Sequence, residues 1–235
     1  MPYRKEKFEN GNIVHVILRG VDGNKLFKDI NDYYRGIFSI YEFNNLNPVS
    51  IKKRREGRLR FKQGRGRTSA FADDIDKRER MVDVLCFCFM PNHVHLLIKQ
   101  IKDNGITEFM RKFGTGYGGY MIRKYNRKGH VFQSNFEAVK IKTEEQLRIV
   151  FAYIHTNPIS LIYGKWKEIR VKKEYFNKIF KFLKNYKWSS YSDYIKIKNF
   201  PSVTQKKFML NLFGGEDNCK KFVEDYVKNK GELKV

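Results

Sequence analysis

The stretch Met81–Lys99, "MVDVLCFCFMPNHVHLLIK", limits what this chain can fold into more than any other. An apolar run of strand length stands on each side of Pro91-Asn92, a pair typical of tight turns. It reads as an antiparallel hairpin of strands Met81–Phe89 and His93–Lys99, the first apolar enough to be buried. Side chains two apart on a strand share a face, so His93 and His95 project together while Val94 and Leu96 face the other way. Imidazole is the commonest protein ligand for transition metals, and two on one face make half a site. The same spacing suits a pair that only hydrogen-bonds its neighbours at a strand end.

The rest of the chain arranges itself around that hairpin. Asn12–Gly20, "NIVHVILRG", reads as a strand, and Asp29 caps a helix with Ile30, Tyr33, Tyr34, Ile37 and Ile40 at helical spacing. From about 44 to 80 the composition turns to Arg, Lys and Gly, as in a long inserted loop. "ITEFMRKF" and "YGGYMIRKYN" are helical pieces around Gly114, Gly116, Gly118 and Gly119. Each glycine costs roughly 1 kcal/mol inside a helix, which predicts a hinge or break there. His130–Ile141 looks like a return strand. Thr143 and Gln146 form a capping-box pair for a helix with Leu147, Val150, Phe151 and Ile154 on one stripe, ended by Pro158. The order predicts an α+β fold, an antiparallel sheet with helices packed on one side. We assign residues 1–165 to one domain holding the insertion, and 166–235 to a basic, helical C-terminal extension.

Lys and Arg number 48 against 25 Asp and Glu, a formal charge of +23. So large an excess points to a polyanionic partner. Three cysteines, an odd number, build no disulfide framework and suit a reducing compartment. With no apolar leader or membrane-length apolar run, the expectation is a cytoplasmic protein with no membrane partner.

The capped helix holds "FAYIHTNPI", with Tyr153 and Asn157 four residues apart and so on one helix face. A phenol and an amide oxygen could point at the same spot, although a following proline disfavours helical geometry and would make Asn157 the last helical residue. Two imidazoles, one amide oxygen and open positions for water suit a divalent ion. Tyr153 also fits an ordinary core-edge aromatic.

These residues fall in an ordered set of blocks: "HVILRGVDGNKLFKD", "FCFMPNHVHLLIK", "FMRKFGTGYGGYMIRKYNRKGHVFQ", "YIHTNPI", "KWSSY" and "NLFGG" followed by "KKFVEDYV". Together they resemble the REP-associated tyrosine transposases, within the single-tyrosine transposases that carry the HUH motif (His, hydrophobic, His). The resemblance covers most of the chain. It implies a ferredoxin-like sheet that cleaves and rejoins single-stranded DNA, usually beside a hairpin, through a covalent 5′-phosphotyrosine. By position it makes Tyr153 the nucleophile, His93 and His95 the ligands of Mg²⁺ or Mn²⁺, and Asn157 the third ligand. Relatives often carry a Gly-Arg-Phe-Lys-like string after "FQ"; here it is "SNFEA" (Ser134–Ala138), which puts that strand's usual backbone contact in doubt.

The residue types suit this chemistry independently. A phenol of pKa about 10 is a poor nucleophile until polarised, and a cation on a phosphate oxygen withdraws charge and orients the scissile bond. The cluster Ile51–Arg67, with Lys52, Lys53, Arg54, Arg55, Arg58 and Arg60, reads as a DNA-backbone contact, and Arg19 as a further DNA-binding candidate. Lys172, Lys173, Lys178, Lys181, Lys184 and Lys187 could form a basic face against a hairpin stem. Tyr117, Tyr120, Phe132 and Trp188 suit core burial better than base stacking. The expected partner is single-stranded DNA with hairpin structure, bound by a monomer or homodimer. A non-catalytic nucleic-acid-binding protein on this fold, or a metal hydrolase with a water nucleophile, are the competing readings.

Overall fold

Strand β1 (Ile13–Arg19) turns Val14, Val16 and Leu18 into one core and leaves Ile13, His15, Ile17 and Arg19 on the opposite face. After it come α1 (Ile30–Phe43), β2 (Val82–Met90), β3 (His93–Gln100), α2 (Gly105–Tyr125), β4 (Glu137–Lys140) and α3 (Glu144–Thr156). Among the described residues the first strands and α-helices run β-α-β-β-α-β, and the four strands form one antiparallel sheet in the order β2-β3-β1-β4. That is the ferredoxin-like arrangement. The computed structural model describes residues 7–51, 53, 54, 56, 78–133, 135–164, 166, 168 and 171–229.

Both faces of the sheet are covered. Val84, Phe87, Phe89, Val94, Leu96 and Ile98 join α1 and α2 in one core. Leu85, Cys86, Cys88, Met90 and Leu97 face the other way, into a second core with α3 and the C-terminal helices α4 (Phe176–Asn185), α5 (Lys207–Phe213) and α6 (Glu216–Lys228). The expected side with packed helices is therefore the α1/α2 side, and α3 with the C-terminal helices adds a layer on the other. The physical reason lies in β2, which is apolar at both parities from Leu85 to Met90 and would expose one set of side chains if only one face were packed. A bulge between Val84 and Cys86 resets the alternation within that run. The segment after α4 also closes the free edge of β2, with Phe89 N donating to Trp188 O at 2.8 Å and Ser190 N to Phe87 O at 3.0 Å.

Three local expectations are corrected. The glycine-rich stretch does not break its helix: α2 runs unbroken from Gly105 to Tyr125. Gly116 lies against Phe43, whose ring carbon Cζ would stand 2.1 Å from an added Cβ, so this glycine permits close helix packing rather than a hinge. The return strand is limited to Glu137–Lys140, preceded by an isolated bridge between Gly20 and Phe132. Pro158 does end α3, which closes at Thr156, but it does not push the residue before it out of helical geometry. Asn157 keeps right-handed helical angles and opens a 3₁₀ turn, Asn157–Leu161, in which the proline sits where no N–H is needed.

The start of the 44–80 insertion is anchored rather than loose. Asn44 Oδ1 accepts from Met81 N and Val82 N, and Leu46 N donates to Glu79 O, which brings the two roots together. Lys112 Nζ donates to the carbonyls of Asn45, Leu46 and Asn47.

Candidate active site

The register puts His93 and His95 on the face covered by α3, with His93 opposite Arg19 and His95 opposite Ile17. Their rings lie 4.8 Å apart, nearly perpendicular. α3 enters this face because Thr143 Oγ1 accepts from Gln146 N at 3.1 Å, while Gln146 reaches one residue beyond the expected capping box, to Lys142 N. Leu147, Phe151 and Ile154 then bury α3 in the second core. Half-buried Tyr153 faces the histidines, its ring centroid 5.7 Å from that of His95 at an angle of 90°. One turn on, Asn157 Nδ2 donates to Tyr153 O at 2.9 Å. The amide nitrogen thus caps the helix, and the oxygen is the end suited to a cation.

Sequence reasoning missed His15. It is buried on β1, its ring stacks on that of His95 at 5.2 Å, and its Nε2 lies 3.0 Å from His95 Nδ1. It also meets Tyr153 edge-on at 5.9 Å. Burial, and secondarily the Arg19 charge, pushes its pKa down to about 4. The available signal was a lone polar residue in an apolar strand, at the parity opposite Val14 and Val16. Asn92 does more than the turn its sequence position suggests. Its Nδ2 donates to Gly23 O at 3.4 Å, and its Oδ1 accepts from His93 Nδ1 at 2.7 Å. The fourth histidine of this region, His155, lies apart from the constellation. Its Nε2 meets Ser190 Oγ at 2.8 Å, and burial alone pushes its pKa down to about 3.

Among the described residues no group of three His, Cys, Asp or Glu side chains is arranged to hold a metal ion. The set on offer is two imidazoles and an amide oxygen. It fits a divalent cation in one telling respect: both candidate ligands have Nδ1 engaged by a neighbour, the usual way a protein orients a ligating imidazole and leaves Nε2 for the ion.

The DNA-binding candidates separate. Arg19 sits at this site, its Nε 3.5 Å from Glu137 Oε1. Lys53 and Arg54 are exposed, with Arg54 Nε 3.4 Å from the buried carboxylate of Glu42. Lys52, Arg55, Arg58 and Arg60 lie outside the described residues. Lys172, Lys173, Lys178, Lys181, Lys184 and Lys187 are all exposed. Tyr117 is buried in the first core, while Tyr120, Phe132 and Trp188 are half-buried against the cores. No helix among the described residues is long and apolar enough to cross a membrane.

Residues 45–157 match the family model for IS200-like transposases. No curated protein matches the chain. Among solved structures, a REP-associated tyrosine transposase bound to a REP hairpin is similar at 14% identity and a TM-score of 0.39, covering 68% of this chain and 74% of that one. A tRNA(His) guanylyltransferase from Saccharomyces cerevisiae is similar at 11% identity and a TM-score of 0.32, covering 97% and 82%. Both scores are too low for either likeness to bear on fold or function. The family match spans "MPNHVHLLI" and runs through Tyr153 to end at Asn157, and with it the resemblance to the single-tyrosine, IS200-like transposases is borne out.

Proposed function

We propose that the chain is a metal-dependent, single-tyrosine transposase that cleaves and rejoins single-stranded DNA beside hairpins. The observation that carries the reading is the convergence of His93 and His95 on β3 with Tyr153 on α3, on one face of the sheet. A divalent ion such as Mg²⁺ or Mn²⁺, when bound there, would supply positive charge to a non-bridging phosphate oxygen. His93, His95 and Asn157 are the residues that would hold it.

The chain's own residues account for the rest of the chemistry. Tyr153 Oη attacks phosphorus, the bond from phosphorus to the 3′-oxygen breaks, and the phenolic proton passes through solvent to the departing oxygen. The products are a 5′-phosphotyrosine and a free 3′-hydroxyl. Attack by a second 3′-hydroxyl reverses the exchange and rejoins strands without ATP. The net charge of +23 and the exposed lysines from Lys172 to Lys187 suit the phosphates of a hairpin stem.

The test is incubation with single-stranded hairpin DNA from beside the protein's own gene, with Mg²⁺ or Mn²⁺, read on a denaturing gel. Wild type should give a covalent adduct. Tyr153→Phe, which keeps the ring and removes only the oxygen, should give none while binding DNA nearly as well. Adduct from the Phe variant would place the nucleophile elsewhere, and equal cleavage in EDTA would remove the metal from the reading.

A further inference from the structure

His93 and His95 must each present a bare ring nitrogen if they are to act together, and the two are prepared differently. For His93 the matter is fixed locally. Asn92 uses its amide nitrogen on Gly23 O, so its Oδ1 faces His93 Nδ1 and can only accept. A neutral His93 therefore carries its proton on Nδ1 and its lone pair on Nε2. At His95 the neighbour of Nδ1 is of another kind. Nδ1 faces His15 Nε2 at 3.0 Å, and an imidazole nitrogen can either give or take. One direction puts the His95 proton on Nδ1 and the lone pair on Nε2. The other places a proton on Nε2, where it would block a cation.

We propose that His15 is the positioning residue of this site: its Nε2 accepts from His95 Nδ1 and so holds His95 in the tautomer whose Nε2 is bare. This rests on the metal reading above, although the tautomer itself does not. The geometry suits a fixed partner. His15 is buried on β1, two residues from Ile17, the residue that pairs with His95, and so on the same face of the sheet. Stacking at 5.2 Å and 20° keeps the two rings in place side by side, and Tyr153 closes edge-on against both. A neutral His15 that accepts at Nε2 carries its own proton on Nδ1. His15 thus acts on the ion through His95, without being a ligand.

The test begins on metal-free wild type, with ¹⁵N-labelled histidine and long-range ¹H–¹⁵N correlation spectra, which distinguish protonated from bare ring nitrogens. His95 should show a protonated Nδ1 and a bare Nε2. A protonated Nε2 overturns the proposal whatever the metal does. Mn²⁺ titration by calorimetry then compares wild type, His15→Leu and His15→Gln. His15→Leu should bind Mn²⁺ about 10–100-fold more weakly, the usual penalty for losing the partner of a ligating histidine. His15→Gln, whose amide oxygen can still accept, should recover part of that loss. Equal affinity in wild type and His15→Leu overturns the proposal, and so does a Gln variant no better than Leu when both are folded. If His15→Leu does not fold, the wild-type spectrum and the Gln variant still decide. Wild type that binds no Mn²⁺ while showing the expected tautomer overturns the metal reading instead.

Discussion

Two polar clusters lie on opposite faces of the same sheet, and they are built on different principles. On the α1/α2 face the fully buried Asp32 accepts from Lys28 N, Asp29 N, Tyr120 Oη, Tyr125 Oη and Lys124 Nζ, at 2.6–3.2 Å. Every one of these partners is a pure donor toward it, and Lys124 balances its charge. On the other face His15 Nε2 meets His95 Nδ1 at 3.0 Å, and because imidazole nitrogens can either give or take, the direction of that bond decides what the site can bind. The first cluster can only be architecture, because nothing is left for a ligand to complete. The second, with His15 accepting as proposed, keeps a lone pair on His95 Nε2 for a ligand, which is how a reactive site differs from a structural knot.

Substitution should separate the two most sharply in stability. Asp32→Ala takes the acceptor from Tyr120 Oη and leaves Lys124 and Tyr125 with Asp29 Oδ2 alone, and should cost about 2–4 kcal/mol in urea unfolding. A variant of that kind that remains folded should still form the covalent adduct. His93→Ala, on a half-buried ring, should cost about 1 kcal/mol or less and abolish metal-stimulated cleavage. Reversal of the pattern, with His93 mattering to stability and Asp32 to chemistry, would break the comparison.

Acid should probe the Asp32 cluster more gently. Burial by itself would raise the Asp32 carboxyl, but the donors Lys124, Tyr125, Lys28 N and Tyr120 outweigh it and hold the group below the usual 3.8. Because the folded pKa is the lower one, the unfolded chain takes up the proton first. The stability this group contributes is therefore complete above about pH 4 and is lost as pH falls through the depressed folded value. Unfolding midpoints measured at successively lower pH should fall less steeply in Asp32→Asn than in wild type. Identical slopes would mean that the carboxylate is not what the tyrosines and Lys124 recognise.

Much of this architecture can be read from the chain because its determinants are local. The period-two rule places His93 and His95 on one face, and the four-residue spacing joins Tyr153 to Asn157. Asp29 announces α1, and its capping box with Asp32 is present. What escapes local reading depends on register and on contacts between distant segments. His15 meets His95 across 80 positions, and only the pairing of Ile17 with His95 reveals that they are neighbours. Likewise the role of Gly116 is written in Phe43, on another helix. The second layer was foreshadowed by the unbroken apolar run of β2, a local signal whose consequence is global.

The glycines of α2 give a smaller and signed test. An added methyl at Gly116 would stand 2.1 and 2.2 Å from carbons of the Phe43 ring, so Gly116→Ala should destabilise by about 1–3 kcal/mol. Gly114, two residues earlier, has open space around its missing Cβ. There the same change should stabilise by up to about 1 kcal/mol through helix propensity alone. Thermal melts of the two variants should move in opposite directions. A common sign would mean that helix propensity, not the α1/α2 packing, governs this helix.

The smallest effect concerns the edge of the reactive face, where Arg19 meets Glu137. Both side chains are largely in solvent, at 43% and 59% exposure, so the 3.5 Å pair contributes at most about 1 kcal/mol to folding. Glu137→Gln should leave the melting temperature nearly unchanged. Its consequence lies in DNA binding, because Arg19 stands opposite His93, beside the proposed position of the scissile phosphate. With its carboxylate partner neutralised, Arg19 becomes free to pair with a phosphate, and the carboxylate's own repulsion of the strand disappears. Affinity for single-stranded hairpin DNA should rise a few-fold at low salt. The slope of log affinity against log salt should steepen by up to about 0.7, the value of one phosphate contact on a single strand. The double variant Glu137→Gln with Arg19→Ala should return the slope to the wild-type value. If the steeper slope survives loss of Arg19, the effect belongs to the general field of the +23 chain, and Arg19 is not a phosphate contact.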